Sequence, residues 1–362
     1  MQPLFTIPDP HRHWGCRIND QVKLHGIDAL LIQNELIQVV VLVGKGGEIV
    51  QYLYKPLDVD FLWRGPSPLH NPRHFPTGGG QPASFFDHWS GGWIEVVPNG
   101  GPANEYKGAP LSFFGDTTHI PWQYRILEDT PECVRVAMWV QTHRVPLLLQ
   151  RILTIETGKP ALYFEERLTN LGKEPVDFMW GHHPVVGPPF LDESCRLSAP
   201  ASRVEVLHDE DGPDYRFGLH QVGAWPVIQD RHQAPLDLRK IPPPDSHSMD
   251  NCYLSEFTEG WVAVSNTRRN VGFGLAWDPS VFRYIWIWEA LGGGIGYPWY
   301  GRTYNIGIEP WSGFPCAGLT EAIRRGTATR LEPGHSLDTW LTAVAYQGKD
   351  EVQLIRRDGS VE

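Results

Sequence analysis

The sequence predicts an all-β protein, a large antiparallel β-sandwich. Three observations predict it. Short runs rich in β-branched and aromatic residues recur along the chain, glycine- and asparagine-bearing turns separate them, and long amphipathic helices are scarce. No interior segment shifts in composition as a linker would, so residues 1–362 are read as one domain.

The elements follow in order. Run 37–43 is β-branched, 44–47 (Gly-Lys-Gly-Gly) turns, and 49–54 resumes alternation, which reads as a hairpin. Glu165, Arg167 and Thr169 alternate, 170–173 turns, and the chain returns from Val176, so a second hairpin is expected. Runs 262–264, 272–276, Tyr284–Leu291 and 340–346 add strands, and Leu319–Arg325 reads as a short helix. Two loop regions, 87–110 and 291–301, set glycines beside Trp89, Trp93, Trp299 and Tyr300, a composition suited to a binding rim.

Composition narrows the function. Hydrophobic residues are 41% and charged residues 20%, as in a globular chain able to bury a large core. A formal charge of −11 and the lack of Lys/Arg-rich runs argue against nucleic-acid or anionic-membrane partners. The first five residues lack the pattern of a secretion signal, and the apolar segment 30–43 is too interrupted to span a bilayer. Five cysteines without zinc-like spacing are read as reduced thiols in a cytoplasmic protein. No phosphate-loop motif occurs, and no cofactor is expected.

Two runs carry the chemistry. Phe178-Met179-Trp180-Gly181-His182-His183-Pro184 ends in adjacent histidines, and Asn305-Ile306-Gly307-Ile308-Glu309-Pro310-Trp311 holds a lone carboxyl group. Strand side chains alternate between faces, so His182 shares the apolar face of Phe178 and Trp180, while His183 lies opposite with Gly181. Glu309 shares its face with Asn305 and Gly307. In each run a glycine precedes the ionisable group by two residues, on its own face, and leaves room for close approach. Either histidine taken alone reads equally as a hydrogen-bonded structural residue, His182 more so. Glu309 is harder to explain that way, because a buried carboxyl group without a partner is costly. The Trp286 and Trp288 ladder reads as sheet core or as a ring-stacking surface, and Glu289 points away from it. His182 and His183, adjacent on a strand, diverge and cannot easily share one ion; His11 and His13 are the other close histidine pair, and no ligand spacing points to a metal.

Taken together, several stretches resemble the aldose 1-epimerase, or galactose mutarotase-like, superfamily, and most of all its bacterial aldose-epimerase-like branch. They are 46–49, 91–99, 120–124, 168–172, Gly181-His182-His183-Pro184, 307–311 and 331–337, in order along nearly the whole chain. The resemblance implies a supersandwich that binds a small-molecule sugar and interconverts its anomers, with His183 as catalytic acid and Glu309 as base. It also implies a sugar-holding aspartate followed by an aromatic, best matched by Asp250 in Asp250-Asn251-Cys252-Tyr253. Asn99, His119, His182, Trp93 and Trp299 complete the candidate substrate contacts. The chain departs from the family at Phe114-Gly115, where a further histidine is usual, and lacks the usual Asn-Arg contact near Asn99. A neighbouring carboxylate is expected to keep His183 protonated near neutral pH. Rival readings are a non-catalytic sugar-binding protein and a lyase or glycosidase using Glu309 with Asp250. Exposed strand edges make a homodimer a further expectation.

Overall fold

The computed structural model describes residues 12–75, 80–207, 212 and 214–362. The reading of the first five residues, and His11, fall outside them. Two antiparallel sheets dominate, one of 12 strands and one of 8. In the larger sheet the strands Trp93–Val96, Gly181–Val186, Tyr304–Trp311, Tyr284–Leu291 and Ser248–Ser255 are successive neighbours. In the smaller, Ser336–Gln347 is central, paired with Val271–Trp277 on one side and Ala161–Asn170 on the other. The sheets meet through aromatic side chains. Tyr52 of the larger packs edge-on against Phe273 of the smaller at 5.2 Å, and the Trp93 ring lies tilted by 33° against Phe164 at 5.1 Å. This is the sandwich the alternating runs predict, one face of each sheet turned to a shared core.

The first hairpin forms as expected, Ile37–Leu42 pairing with Glu48–Tyr54. Leu319–Arg325 is a helix, closed by Gly326 in the left-handed conformation at φ 71°. All five cysteines are free. Among the described residues no helix is long and apolar enough to cross a membrane.

The second expected hairpin does not form. Ala161–Asn170 belongs to the smaller sheet, whereas Val176–Phe178 pairs with Thr329–Leu331 in a separate ribbon. The chain returns to the larger sheet only at Gly181. The cause is local bonding that the alternation pattern does not encode. Asn170 Nδ2 donates to the carbonyls of Glu174 (2.8 Å) and Leu331 (3.0 Å), turning the chain toward the ribbon. The amide of Met179 then donates to the carbonyl of Pro98, and that of Trp180 to Ser312 Oγ, both at 2.8 Å. The run 176–183 is therefore two strands joined by a two-residue step.

Gly181 pairs with Trp311 across the sheet, and a Cβ there would overlap the Trp311 indole. Its lack of a side chain lets that indole lie flat over Trp286, with ring centroids 3.9 Å apart and planes 10° from parallel. Overpacking a filled site typically costs about 1–3 kcal/mol. Gly181→Ala should lower stability by that order in urea unfolding, while Gly80→Ala, which meets nothing within 4 Å, should leave the midpoint unchanged.

Candidate active site

Register places the two ionisable groups together. Across the pair Gly181–Val186 and Tyr304–Trp311, Gly181 lies opposite Trp311 and Val185 opposite Gly307. His183, midway between, therefore falls opposite Glu309. The row continues on both sides, His183 pairing with Ile94, Glu309 with Trp286, and Trp286 with Tyr253. Directly opposed residues share a face and approach within side-chain contact. His183 Nε2 stands 3.4 Å from Glu309 Oε1, and both side chains are almost wholly buried, at 4% and 2% exposure.

The row forms the floor of a cavity of about 300 Å³, small for a ligand pocket. Trp286, Trp288 and Tyr253 join His183 and Glu309 there, and loop residues Phe86, Trp89, Phe113, Phe114 and Trp299 supply the walls. Trp89 and Phe114 meet the His183 ring edge-on, at 5.4 and 5.1 Å. Gly307 keeps the floor open beside the carboxyl group, since a Cβ there would overlap Glu309 Oε1. Trp311 holds that group from the other side, its Nε1–H donating to Glu309 Oε2 at 2.9 Å. Two groups, His183 Nδ1 and Trp89 Nε1, are buried without a hydrogen-bond partner.

Burial sets the charge state. It pushes the Glu309 carboxyl well above its ordinary range, against the smaller opposing effect of the Trp311 hydrogen bond. It also lowers the His183 imidazole to about 4. The expectation that a neighbouring carboxylate keeps His183 protonated is thus corrected. An ion pair among aromatic rings must surrender its hydration, and that loss outweighs the mutual attraction. Burial therefore favours the neutral form of each group over the ion pair, a protonated Glu309 carboxyl and an uncharged His183 imidazole.

The other candidates divide. Trp299 lines the cavity. Asp250 borders it, but its register is with Glu289, on the face away from Trp288 and Asn251. Its carboxylate accepts the backbone amides of Arg216 (3.1 Å) and Phe217 (3.0 Å), while the Arg216 side chain bonds Glu289. Four candidates lie outside. Asn99 is fully buried and ties a loop together, donating to the carbonyls of Pro102 and Ser112 and accepting from the Leu319 amide. His119 packs on Phe85 in a second cavity, with His88, Asp116 and Arg144. Trp93 and His182 point into the core between the sheets. Trp286 and Trp288, which alternation left between core and stacking surface, both line the cavity, Trp286 buried and Trp288 partly exposed. Sequence reasoning missed the part played by Trp311, which its position two residues beyond Glu309, on the same face, could have shown.

On the core side of the same strand lies a buried polar network. Trp93 Nε1–H donates to His182 Nδ1 (3.2 Å), so the ring proton sits on Nε2, 3.1 Å from Glu166 Oε2. Glu95 accepts from Arg151 Nη1 (3.0 Å) and Trp180 Nε1 (2.9 Å). Burial raises Glu95 to about 7 and Glu166 to about 8, and lowers His182 to about 4. Glu95, Glu166 and His182 bring ligand atoms within 4.8 Å of one another, a spacing that could hold a cation. Here both imidazole nitrogens are engaged in hydrogen bonds and a guanidinium already neutralises Glu95. The network fastens the strand that carries His183 to both sheets.

Comparison with solved structures shows a galactose mutarotase-like fold. A candidate aldose 1-epimerase from Klebsiella pneumoniae matches at TM-score 0.69 and 15% identity, covering 92% of this chain and 83% of the other. A galactose mutarotase-like protein from Clostridium acetobutylicum matches at TM-score 0.62 and 14% identity, covering 92% and 99%. A candidate aldose 1-epimerase from Escherichia coli K12 matches at TM-score 0.59 and 15% identity, covering 89% and 100%. No curated protein matches the sequence. Residues 24–344 match the model of a domain of unknown function, DUF4432, and the chain belongs to that family.

The Trp311 hydrogen bond favours the ionised form of Glu309. Trp311→Phe keeps the ring and removes the donor, so the Glu309 carboxyl should titrate at a still higher pH. Carboxyl titration followed by infrared spectroscopy checks this; an unchanged or lower value would contradict the geometry.

Proposed function

We propose that this protein interconverts the anomers of an aldose by general acid–base catalysis at His183 and Glu309. The supporting observation is the cross-strand pair itself, a proton donor and a proton acceptor 3.4 Å apart on the floor of an aromatic cavity of single-ring size. The fold of the solved relatives agrees with a sugar substrate.

Mutarotation opens a cyclic hemiacetal and recloses it on the other face. One proton must leave the anomeric hydroxyl and another must reach the ring oxygen as the C1–O5 bond breaks. In the resting pair the donor is the Glu309 carboxyl and the acceptor is the neutral His183 imidazole, the reverse of the assignment the resemblance implies. Glu309 gives its proton to O5 while His183 takes that of O1. This leaves a carboxylate beside an imidazolium, and their opposite charges stabilise each other next to the open aldehyde. After rotation about C1–C2, both transfers run backward. The other assignment is the same pair with its single proton moved across, so protons balance in either direction. Each such group contributes on the order of a hundred- to ten-thousand-fold in rate.

The glycosidase reading loses support, because Asp250 faces away from Glu309 and its carboxylate is held by backbone amides. A binding protein without catalysis is favoured by one observation. Phe114, standing where the resembled family carries a further histidine, lies against His183 and offers no proton.

Glu309→Gln should abolish anomer exchange, measured by NMR, while sugar still quenches tryptophan fluorescence; full turnover in this variant would remove Glu309 from the mechanism. The pH profile supplies a second test. Falling pH protonates His183 near 4 and removes the acceptor, and rising pH ionises Glu309 only above its raised pKa. Background-corrected kcat/KM should therefore show its acid limb near pH 4 and its alkaline limb only beyond the raised Glu309 pKa, whereas an unburied pair with ordinary values (~4.3 and ~6.5) would already decline above about pH 6.5.

A further inference from the structure

We propose that Asn251 and Tyr253 together read one hydroxyl of the bound sugar, at the end of the cavity away from the reacting bond. This deepens the anomerisation reading and rests on it for the place of that bond.

The strand Ser248–Ser255 turns alternate residues to the cavity. Asn251 pairs with Trp288 and Tyr253 with Trp286, which itself pairs with Glu309, so all five side chains share one face. The resemblance gives the sugar-holding part to Asp250. Here the register turns that carboxylate to the other face, where the amides of Arg216 and Phe217 hold it. Polar contact with a ligand passes to its neighbours Asn251 and Tyr253, both of which line the cavity, Tyr253 buried and Asn251 half-buried. Tyr253 stands two strands from Glu309, roughly 10 Å along the sheet at ordinary strand spacing. A sugar ring with its reacting bond at His183 and Glu309 has its far hydroxyls on this side.

Hydrogen-bond accounting supplies the rest. The Tyr253 hydroxyl accepts twice, from the Cys316 amide at 3.2 Å and from Asn251 Nδ2 at 3.4 Å. Its lone pairs are taken, and none of its hydrogen bonds among the described residues uses its own proton. Burial raises the phenol well above its ordinary range, so that proton stays in place. Asn251 makes no other side-chain bond among the described residues, which leaves its Oδ1 as an acceptor. A donor and an acceptor side by side match a hydroxyl, which gives one hydrogen bond and receives another. A methylene in its place makes neither and leaves the buried Tyr253 proton unpaired. The Tyr253 ring is fixed by edge-on packing against Phe314 at 4.7 Å and Trp286 at 5.8 Å. Tyr253→Phe therefore keeps the packing and removes the donor alone.

The test sets each variant against each missing hydroxyl. Wild type, Tyr253→Phe and Asn251→Ala are assayed on glucose, galactose and their 2-, 3-, 4- and 6-deoxy derivatives. Anomer exchange is followed by NMR, and binding separately by quenching of tryptophan fluorescence. Leaving a buried donor unpaired should lower kcat/KM by roughly ten- to a hundred-fold. The expected result is one deoxy sugar that wild type handles worse than its parent by that factor, and that neither variant distinguishes from the parent. A merely structural part for these residues would not give this, because a weakened fold lowers turnover of every sugar alike. Either variant keeping the wild-type preference, or a wild type with no preference, overturns the proposal. If wild type exchanges no anomers, the same comparison is made on Kd. A preference lost in both variants then upholds the hydroxyl contact while the anomerisation reading fails; no preference, or no binding of any sugar, overturns the contact.

Discussion

The arrangement depends on one register. Antiparallel pairing of Gly181–Val186 with Tyr304–Trp311 sets residue 183 against residue 309, and a slip of one residue would turn each side chain to the other face. Four features on the same strands hold that register. Gly181 admits the Trp311 indole, Trp311 stacks on Trp286 and bonds the carboxyl group, and Gly307 leaves that group its space. The site is thus built from regular sheet, and the irregular loops add only the aromatic walls. Catalytic groups mounted on rigid elements keep their separation better than groups on loops.

The two faces of the histidine strand serve opposed purposes. On the core side His182 has both nitrogens bonded and lies within a network of two carboxyl groups, a guanidinium and two indoles. On the cavity side His183 leaves Nδ1 without a partner and meets mostly rings. Burial lowers both imidazoles alike to about 4, but adjacent residues of one chemical type differ in their hydrogen bonding, because a strand presents them to different surroundings. The network fixes the strand from the core side, while the cavity side presents His183 beside Glu309.

Much of this is legible in the sequence, and the limits have physical reasons. Alternation alone separates His182 from His183 and puts Glu309 with Gly307, because the period of a strand is two whatever it pairs with. The spacing of the two glycines marks close approach, although the groups approaching prove to be Trp311 and Glu309 themselves. The break at Met179 and Trp180 is not legible, since it comes from bonds to Pro98 and Ser312, remote in sequence. Asn99, in a glycine-rich loop, and His119, a few residues beyond the Phe114 place where the resembled family carries a histidine, look like ligand contacts, yet one braces the loop and the other lies in another cavity. Charge state is the least legible property. A carboxyl group beside an imidazole reads as an ion pair until the surrounding rings, drawn from six separate chain segments, are known to exclude water.

The central claim is that burial favours a neutral His183–Glu309 pair, with the mobile proton on the carboxyl group rather than on the imidazole. Neutron diffraction from a deuterated crystal at neutral pH locates that proton directly. The account predicts a deuterium on a Glu309 oxygen and a single deuterium on the His183 ring. A doubly deuterated ring facing a bare carboxylate would contradict it.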